Sequence, residues 1–149
     1  IPPLNRDVAF ALKRHFPEAT FVINGQIDSL ALSQELMAKG MDGVMLGRAA
    51  YHNPWLMANV DSVLFDDTDP VAMRLDVVHA MTGYLKDTCA DNVMGVRAVA
   101  RHMIGLAQGL PGARQWRRLL SDPATLKAAG VNILEVAWSE SFGEGMPTT

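Results

Sequence analysis

Two short apolar stretches that end in glycine carry the residue types from which a phosphate-binding site is built. The stretch FVIN runs into Gly25 and Gln26, and the stretch GVML runs into Gly47 and Arg48. Because glycine has no Cβ, an anionic ligand can approach the backbone N–H groups beside it. An arginine adds a positive charge and a fork of N–H donors. Two adjacent loops of this kind predict a phosphate cradle formed by Asn24, Gly25, Gln26, Gly47 and Arg48.

A second candidate for anion binding is the stretch 92–121, which holds five arginines and no aspartate or glutamate. These arginines are Arg97, Arg101, Arg114, Arg117 and Arg118. Residues three or four apart lie on one face of a helix, so the first two share a face and the last three share another. Guanidinium groups bind phosphates and stack on planar bases, and folded RNA offers both. The spacing leaves two alternatives open: a solvated helical face, or ion pairs with Asp87, Asp91 and Asp122.

The other reactive side chains form no catalytic or metal-binding pattern. Cys89, the single cysteine, lies among acidic residues on a helical stretch, and we interpret it as structural because such neighbours disfavour a thiolate. His15 and His79 lack partners at ligand spacing, so no metal site is predicted. His52 follows the second glycine loop and is the histidine that could line the phosphate site.

A β-helix-β unit must position the two glycine loops. The runs at 21–24 and 43–46 are short and apolar on both faces, which is typical of buried parallel strands. Apolar spacing predicts a helix before the first run, one between the runs, and one after the second that begins at Asn53 and Pro54. Two strands do not make a stable parallel sheet alone. The pattern therefore indicates the end of a (β/α)8 barrel or of a doubly wound sheet.

The stretch 65–70 is acidic and ends in proline, which predicts a domain boundary. No convincing strand follows it, so the second half is predicted to be a small helical bundle. The predicted helices lie at about 70–90, 93–108, 112–121, 123–129 and 132–142.

Composition and charge narrow the class of protein. The net charge of −3 argues against a generally basic nucleic-acid binder but leaves room for a local basic surface. A single cysteine rules out an internal disulfide and fits a reducing compartment. No apolar run approaches the roughly 20 residues that span a bilayer, and no signal-peptide pattern is present. We therefore expect a cytoplasmic protein without a membrane segment.

Four segments of the sequence resemble the bacterial tRNA-dihydrouridine synthases, and the A-type subfamily in particular. The segments are IPPL at 1–4, LKRHFPEATFVINGQI at 12–27, MDGVMLGRAAYHNPWLM at 41–57 and RHMIGLAQGLPGARQWRRLLS at 101–121. With the intervening helices they span nearly the whole chain, and the last segment is the most specific. The resemblance implies the C-terminal portion of the enzyme: the last β/α units of a (β/α)8 TIM barrel at 1–66, and a helical tRNA-binding domain at 67–149.

The resemblance also implies an activity and site residues. The family reduces uridine in tRNA, with FMN as cofactor and NADPH as the hydride source. The FMN-phosphate positions implied for this chain are Asn24, Gly25, Gln26, Gly47 and Arg48. Many A-type members have glycine at the position of Gln26. Arg114 and Arg117 fall on arginines that orient tRNA, which agrees with the arginine faces found from spacing.

The family's catalytic cysteine lies on an earlier part of the barrel, so the resemblance implies no catalytic residue here and an inactive chain on its own. Two other interpretations stay open. One is a fragment of another FMN-dependent barrel oxidoreductase, and the other is a non-enzymatic RNA-binding helical module. Without further strands, the runs at 21–24 and 43–46 would expose apolar surface, so self-association or a poorly ordered N-terminal half is expected.

Overall fold

The computed structural model describes residues 3–67, 73–90 and 92–143. The described part begins with a helix followed by a β-helix-β unit. The elements are α1 at Arg6–His15, β1 at Val22–Asn24, α2 at Leu30–Ala38 and β2 at Gly43–Met45. The two strands pair in parallel, with Val22 beside Gly43 and Asn24 beside Met45. The two predicted strands and their parallel pairing are therefore confirmed.

Caps and a small apolar core explain why these elements form where they do. The Asn5 side chain accepts a hydrogen bond from the Asp7 N–H and begins α1, and the Ser29 hydroxyl accepts one from the Leu32 N–H and begins α2. Ile23 on β1 is buried together with Leu36 on α2. Successive side chains of a strand point to opposite faces, so Ile23 faces the helix while its neighbours on the strand do not. This packing holds the ends of both strands at one edge of the sheet.

After β2 a helical segment begins at Pro54, as predicted, but it is not the single helix expected and a short helix precedes it. A short helix, α3, covers Arg48–His52, a 3-10 helix covers Pro54–Asn59, and α4 covers Val60–Leu64. The interruption has a local cause, because a residue before proline is disfavoured in the helical region. Asn53 accordingly adopts φ −135° and ψ 79°, which ends α3.

The second half is helical, as predicted. Its helices are α5 at Arg74–Cys89, α6 at Val93–Met103, α7 at Ala113–Ser121, α8 at Pro123–Ala129 and α9 at Ile133–Phe142. Asp122 caps α8 by accepting a hydrogen bond from the Thr125 N–H, whereas the Asn132 side chain makes no capping hydrogen bond at the start of α9. A 3-10 turn at Gly130–Asn132 leads into α9 instead. The start predicted at residue 70 lies outside the described residues.

Trp116 anchors the core of the helical half and thereby fixes the outer face of α7. Its side chain is fully buried, its indole N–H donates to the Met103 carbonyl at 3.2 Å, and its ring meets Trp138 edge to face at 5.6 Å. Arg114, Arg117 and Arg118 lie on the opposite side of the helix and are exposed. The burial of one aromatic residue therefore turns three arginines toward solvent.

Several contacts join the first half of the chain to the second. Trp55 packs against the helical core, and the Arg74 guanidinium lies 4.7 Å from the centre of the Trp55 ring. Gly105 packs so closely on the His52 carbonyl that a Cβ at this position would lie 2.6 Å from its oxygen. The domain boundary between 66 and 67, and the barrel and bundle architectures, stay predictions.

Candidate functional site

The carboxyl ends of β1 and β2 open into one cavity of about 630 Å3. The five residues predicted as the phosphate cradle all line it: Asn24, Gly25, Gln26, Gly47 and Arg48. The lining is completed by Ile27, Asp28, Met45, Ala49 and His52. Because carboxyl ends of parallel strands meet at one edge of a sheet, two loops that are distant in sequence share this concave surface.

The first loop is a strained turn that Arg6 holds in place. Gly25 has φ 123° and Gln26 has φ 48°, both in the region that favours glycine. The Arg6 guanidinium donates to the carbonyl oxygens of Gly25 and Gln26 at 2.9 and 3.2 Å. In a trans peptide the N–H points opposite to the carbonyl, so the N–H groups of Gln26 and Ile27 point away from Arg6. Neither N–H donates a hydrogen bond to another residue of the described chain.

The second loop contributes a free positive charge. Gly47 directly precedes α3, and no side chain caps this helix. Arg48 is exposed and lines the cavity, and its guanidinium makes no ion pair or hydrogen bond with any residue that the structure describes. A planar fork of donors at the rim of a cavity is suited to bind an anionic oxygen.

Arg6 and Asp28 lie at or behind this cavity but were not predicted as part of it, whereas His52 was named from the sequence and does line it. Arg6 supplies the contacts just described, and no local pattern links it to a turn 19 residues later. Asp28 contributes a carboxylate to the lining. His52 lines the cavity as well, and its place directly after the second loop was the signal that identified it in the sequence.

The five arginines of the second candidate site are all exposed. Within the described residues none of them forms an ion pair, so the expected alternative of pairing with Asp87 or Asp122 is not found; Asp91 lies outside these residues. The pKa of Asp122 is lowered chiefly by hydrogen bonds from the Thr125 hydroxyl and N–H. The charge of Arg118 lowers this pKa least among the effects. Neither Asp87 nor Asp122 therefore forms an ion pair with these arginines.

Four of these five arginines line two separate concave surfaces. Arg101 and Arg117 line a cavity of about 390 Å3 together with Tyr51, His52 and His102. Arg114 and Arg118 line another, of about 620 Å3, with Gly112 and Gln115. The two arginines singled out by resemblance, Arg114 and Arg117, thus point into different cavities although they share the outer face of α7.

The remaining candidates take part in neither surface. Cys89 is buried in the helical core beside Gly95 and lines none of the cavities described above. In the described ranges, no group of three histidine, cysteine or acidic side chains could hold a metal ion. Among the helices of these same ranges, none is both long and apolar enough to cross a bilayer.

Comparison with known proteins gives one consistent result. A family model described as dihydrouridine synthase matches residues 2–142. A protein of Shewanella oneidensis is 45% identical over 140 residues, which are 93% of this chain and 41% of that protein. A protein of Yersinia pestis is 41% identical over 137 residues, covering 92% of this chain and 39% of its own length. A protein of Escherichia coli K12 is 44% identical over 137 residues, with coverages of 92% and 39%.

Each of these three relatives is named tRNA-dihydrouridine(20/20a) synthase. The chain spans 39 to 41% of the length of these relatives. The family model covers nearly the whole chain, from residue 2 to residue 142. The family predicted from the sequence is therefore confirmed, and the chain belongs to the dihydrouridine synthases.

Proposed function

We propose that this chain supplies the FMN-phosphate site and an RNA-binding surface of a tRNA-dihydrouridine synthase that reduces uridine in the D-loop of tRNA with NADPH. The observation that carries this proposal is the shared cavity. Five residues named from the sequence as FMN-phosphate positions, on two loops far apart in the chain, line one concave surface.

The residues of this cavity suit a phosphate group. Gly25 has no side chain to obstruct the turn, and the N–H groups of Gln26 and Ile27 have no acceptor among the described residues. Arg48 supplies a free guanidinium at the rim, and Arg6 adds positive charge behind the turn. The Asp28 carboxylate opposes an anion, so Arg48 and the amides must outweigh it.

The departure from glycine at Gln26 is compatible with this role. The contact offered to a phosphate is the backbone N–H, which glutamine retains. Gln26 already adopts the left-handed backbone that glycine would adopt, with φ 48°, so the turn keeps its shape. The side chain adds bulk at the cavity but removes no donor.

Bound FMN would supply the hydride chemistry of the reaction. The residues described here hold its phosphate end and present RNA, and none of them is proposed as catalytic. On the RNA side, Arg114 and Arg117 lie exposed on α7, line two separate cavities and form no ion pair with a described residue, so both charges are available to RNA phosphates. Family membership favours this assignment over another FMN-dependent barrel oxidoreductase, and the flavin cavity favours it over a purely RNA-binding module. We also propose a cytoplasmic location, where tRNA is found.

A comparison of FMN with riboflavin tests the phosphate cradle, because riboflavin lacks only the phosphate. We expect FMN to bind more tightly than riboflavin in a fluorescence-quenching titration of the chain. Arg48→Ala should reduce this preference by about tenfold, the value of one charge-assisted hydrogen bond. Arg14→Ala, at an exposed arginine on α1 that does not line the cavity, is the control and should preserve the preference. Equal affinity for both flavins, or equal effects of both substitutions, would contradict the proposal.

The RNA assignment is tested by the double substitution of Arg114 and Arg117 with alanine. Loss of two phosphate contacts should weaken tRNA binding and lower the slope of log affinity against log salt by about 2. Electrophoretic or fluorescence titrations at several salt concentrations measure both quantities. An unchanged affinity and an unchanged slope would exclude a role for this pair.

A further inference from the structure

The cavity that Arg101 and Arg117 line is separate from the flavin-phosphate cavity, although both are lined by His52. It lies where α3 faces α6 and the 3-10 helix at Ile104–Ala107. Gly105 and His52 are among its lining residues, and Gly105 approaches the His52 carbonyl so closely that no room is left for a Cβ. Its volume of about 390 Å3 is within the range of pockets that hold small ligands, about 300–1,000 Å3.

The lining of this cavity is cationic. Arg101 and Arg117 are exposed and make no ion pair or hydrogen bond with any described residue, so both guanidinium groups are available to a ligand. His52 and His102 add two imidazoles, and no aspartate or glutamate is among the lining residues. Two free guanidinium groups at one small cavity favour an anion with several oxygen atoms, such as a phosphate group.

The same cavity also offers an aromatic surface. Tyr51 is 54% exposed. Its ring lies 5.9 Å from the His52 ring and 5.7 Å from the His102 ring, both in T-shaped contacts. An exposed aromatic ring can stack on a planar base. A binding site for a single nucleotide needs groups that bind its phosphate and a ring that stacks on its base, and this cavity offers both.

We propose that this cavity binds one nucleotide of an RNA strand, with its phosphate on Arg101 and Arg117 and its base on the Tyr51 ring. The choice of RNA as the source of the nucleotide rests on the proposed function. Arg101 and Tyr51 thereby become RNA contacts in addition to Arg114 and Arg117. Because His52 lines both cavities, the nucleotide lies next to the flavin-phosphate site.

Arginine substitutions on α6 provide a matched test. Arg97 and Arg101 lie one turn apart on this helix and are both exposed, but only Arg101 lines the cavity. In fluorescence-anisotropy titrations with a labelled single-stranded oligouridylate, we expect Arg101→Ala to weaken binding about tenfold. Arg97→Ala should weaken it less than about twofold, as expected for a charge outside the site. Equal effects of both substitutions would show general attraction to a polyanion and overturn the proposal, as would absence of binding to the unsubstituted chain.

Tyr51 tests the base contact independently of charge. Tyr51→Ala should weaken oligouridylate binding at least about fivefold, whereas Tyr51→Phe, which keeps the ring, should preserve it. A loss of affinity for Tyr51→Phe equal to that for Tyr51→Ala would contradict stacking. Thermal melts monitored by circular dichroism check that each variant remains folded.

Two further titrations separate this proposal from the flavin site and from a dinucleotide cofactor. Arg101→Ala should leave FMN affinity unchanged, so a failed FMN cradle and a failed nucleotide site give different results. NADPH carries phosphates and a base as well, and its titration against the same variants identifies the source of the ligand. If Arg101→Ala weakens NADPH binding but not oligouridylate binding, RNA is the wrong ligand.

Discussion

The backbone at Gln26 adopts a left-handed conformation that costs an ordinary side chain about 1–2 kcal/mol. Its φ is 48°, and the preceding Gly25 has φ 123°. A Cβ at Gly25 would meet only the end of the exposed Leu4 side chain, at 2.6 Å, so the positive φ rather than lack of space calls for glycine there. Arg6 donates to both carbonyls of the turn. Strain at the proposed ligand site is thus sustained by hydrogen bonds from Arg6.

The strain at Gln26 predicts a stabilising substitution. Gln26→Gly relieves the left-handed penalty but increases the entropy of the unfolded chain, so we expect a gain of up to about 1 kcal/mol in the free energy of unfolding. Urea denaturation measures this difference. Gln26→Ala keeps the strain and should not be more stable than the unsubstituted chain. A Gln26→Gly variant that is less stable than Gln26→Ala would show that the glutamine side chain, rather than the backbone, determines the energy of this turn.

At the scale of elements, Asp42 joins the end of α1 to the sheet. Its carboxylate accepts from Lys13 Nζ at 2.8 Å and from the Phe21 N–H at 2.7 Å. The hydrogen bond from Lys13 is the largest of the effects that lower the pKa of Asp42, followed by the bond from the Phe21 N–H. A carboxyl group whose pKa is lower in the folded state stabilises the fold above its unfolded pKa, about 3.9.

This contribution predicts how stability depends on acid. It should be complete above about pH 5 and be lost as the pH falls below about 4, through the lowered pKa of the folded state. Urea midpoints measured across this range should fall less steeply for Asp42→Asn, which cannot ionise but can still accept the Phe21 N–H. Lys13→Met removes the principal partner and should flatten the dependence in the same direction. A profile that is equally steep in all three proteins would exclude Asp42 as its cause.

Gly105 sets the distance between the segment after β2 and the helical half. A Cβ there would lie 2.6 Å from the His52 carbonyl oxygen and 2.9 Å from Pro54 Cδ. Gly105→Ala should therefore force the two segments apart and destabilise the chain by about 1–3 kcal/mol. Gly83, within α5, has open space around a Cβ, so Gly83→Ala should instead stabilise the helix by about 0.5–1 kcal/mol. Thermal melts compare the two, and a tolerated Gly105→Ala would show that this contact can open.

The elements that the sequence predicts well are those specified by local signals. Strand positions followed from short apolar runs, and the ends of α7 and α8 followed from Gly112, Asp122 and Pro123. The helix start predicted at Asn53 and Pro54 is confirmed, but the 3-10 form of Pro54–Asn59 and the short helix α3 before it were not predicted. The backbone restriction on the residue before proline separates α3 from this segment.

Contacts between distant residues were not predictable in the same way. Arg6 meets the turn at Gly25, and Tyr51 meets His102, through tertiary packing that no spacing rule describes. The proposed cradle could be named from the sequence because strand order alone brings both loops to one edge. The proposed nucleotide cavity could not be named from the sequence, because its lining residues come together only when the two halves of the chain pack.

At the scale of the whole molecule, α1 presents an apolar face that the described residues leave uncovered. Val8 and Leu12 lie four residues apart on one side of the helix, Phe16 follows at its C-cap, and all three are exposed. On the sheet, Val22 is 61% exposed and Met45 is 47% exposed. If the barrel implied by the resemblance is correct, further strands would cover residues of the sheet. Exposed apolar surface of this extent favours association between molecules.

We therefore expect the chain alone to self-associate, with the face of α1 as one contact. In sedimentation-velocity experiments the weight-average sedimentation coefficient should rise with protein concentration. Val8→Lys combined with Leu12→Lys places two charges on this face and should shift the distribution toward monomer, because burying them would require desolvation without a partner. The control combines Ser139→Lys on α9 with Ala98→Lys on α6, both at exposed positions. It adds the same charge away from α1 and should leave the distribution unchanged. A concentration-independent monomer, or an equal shift in both variants, would contradict association through this face.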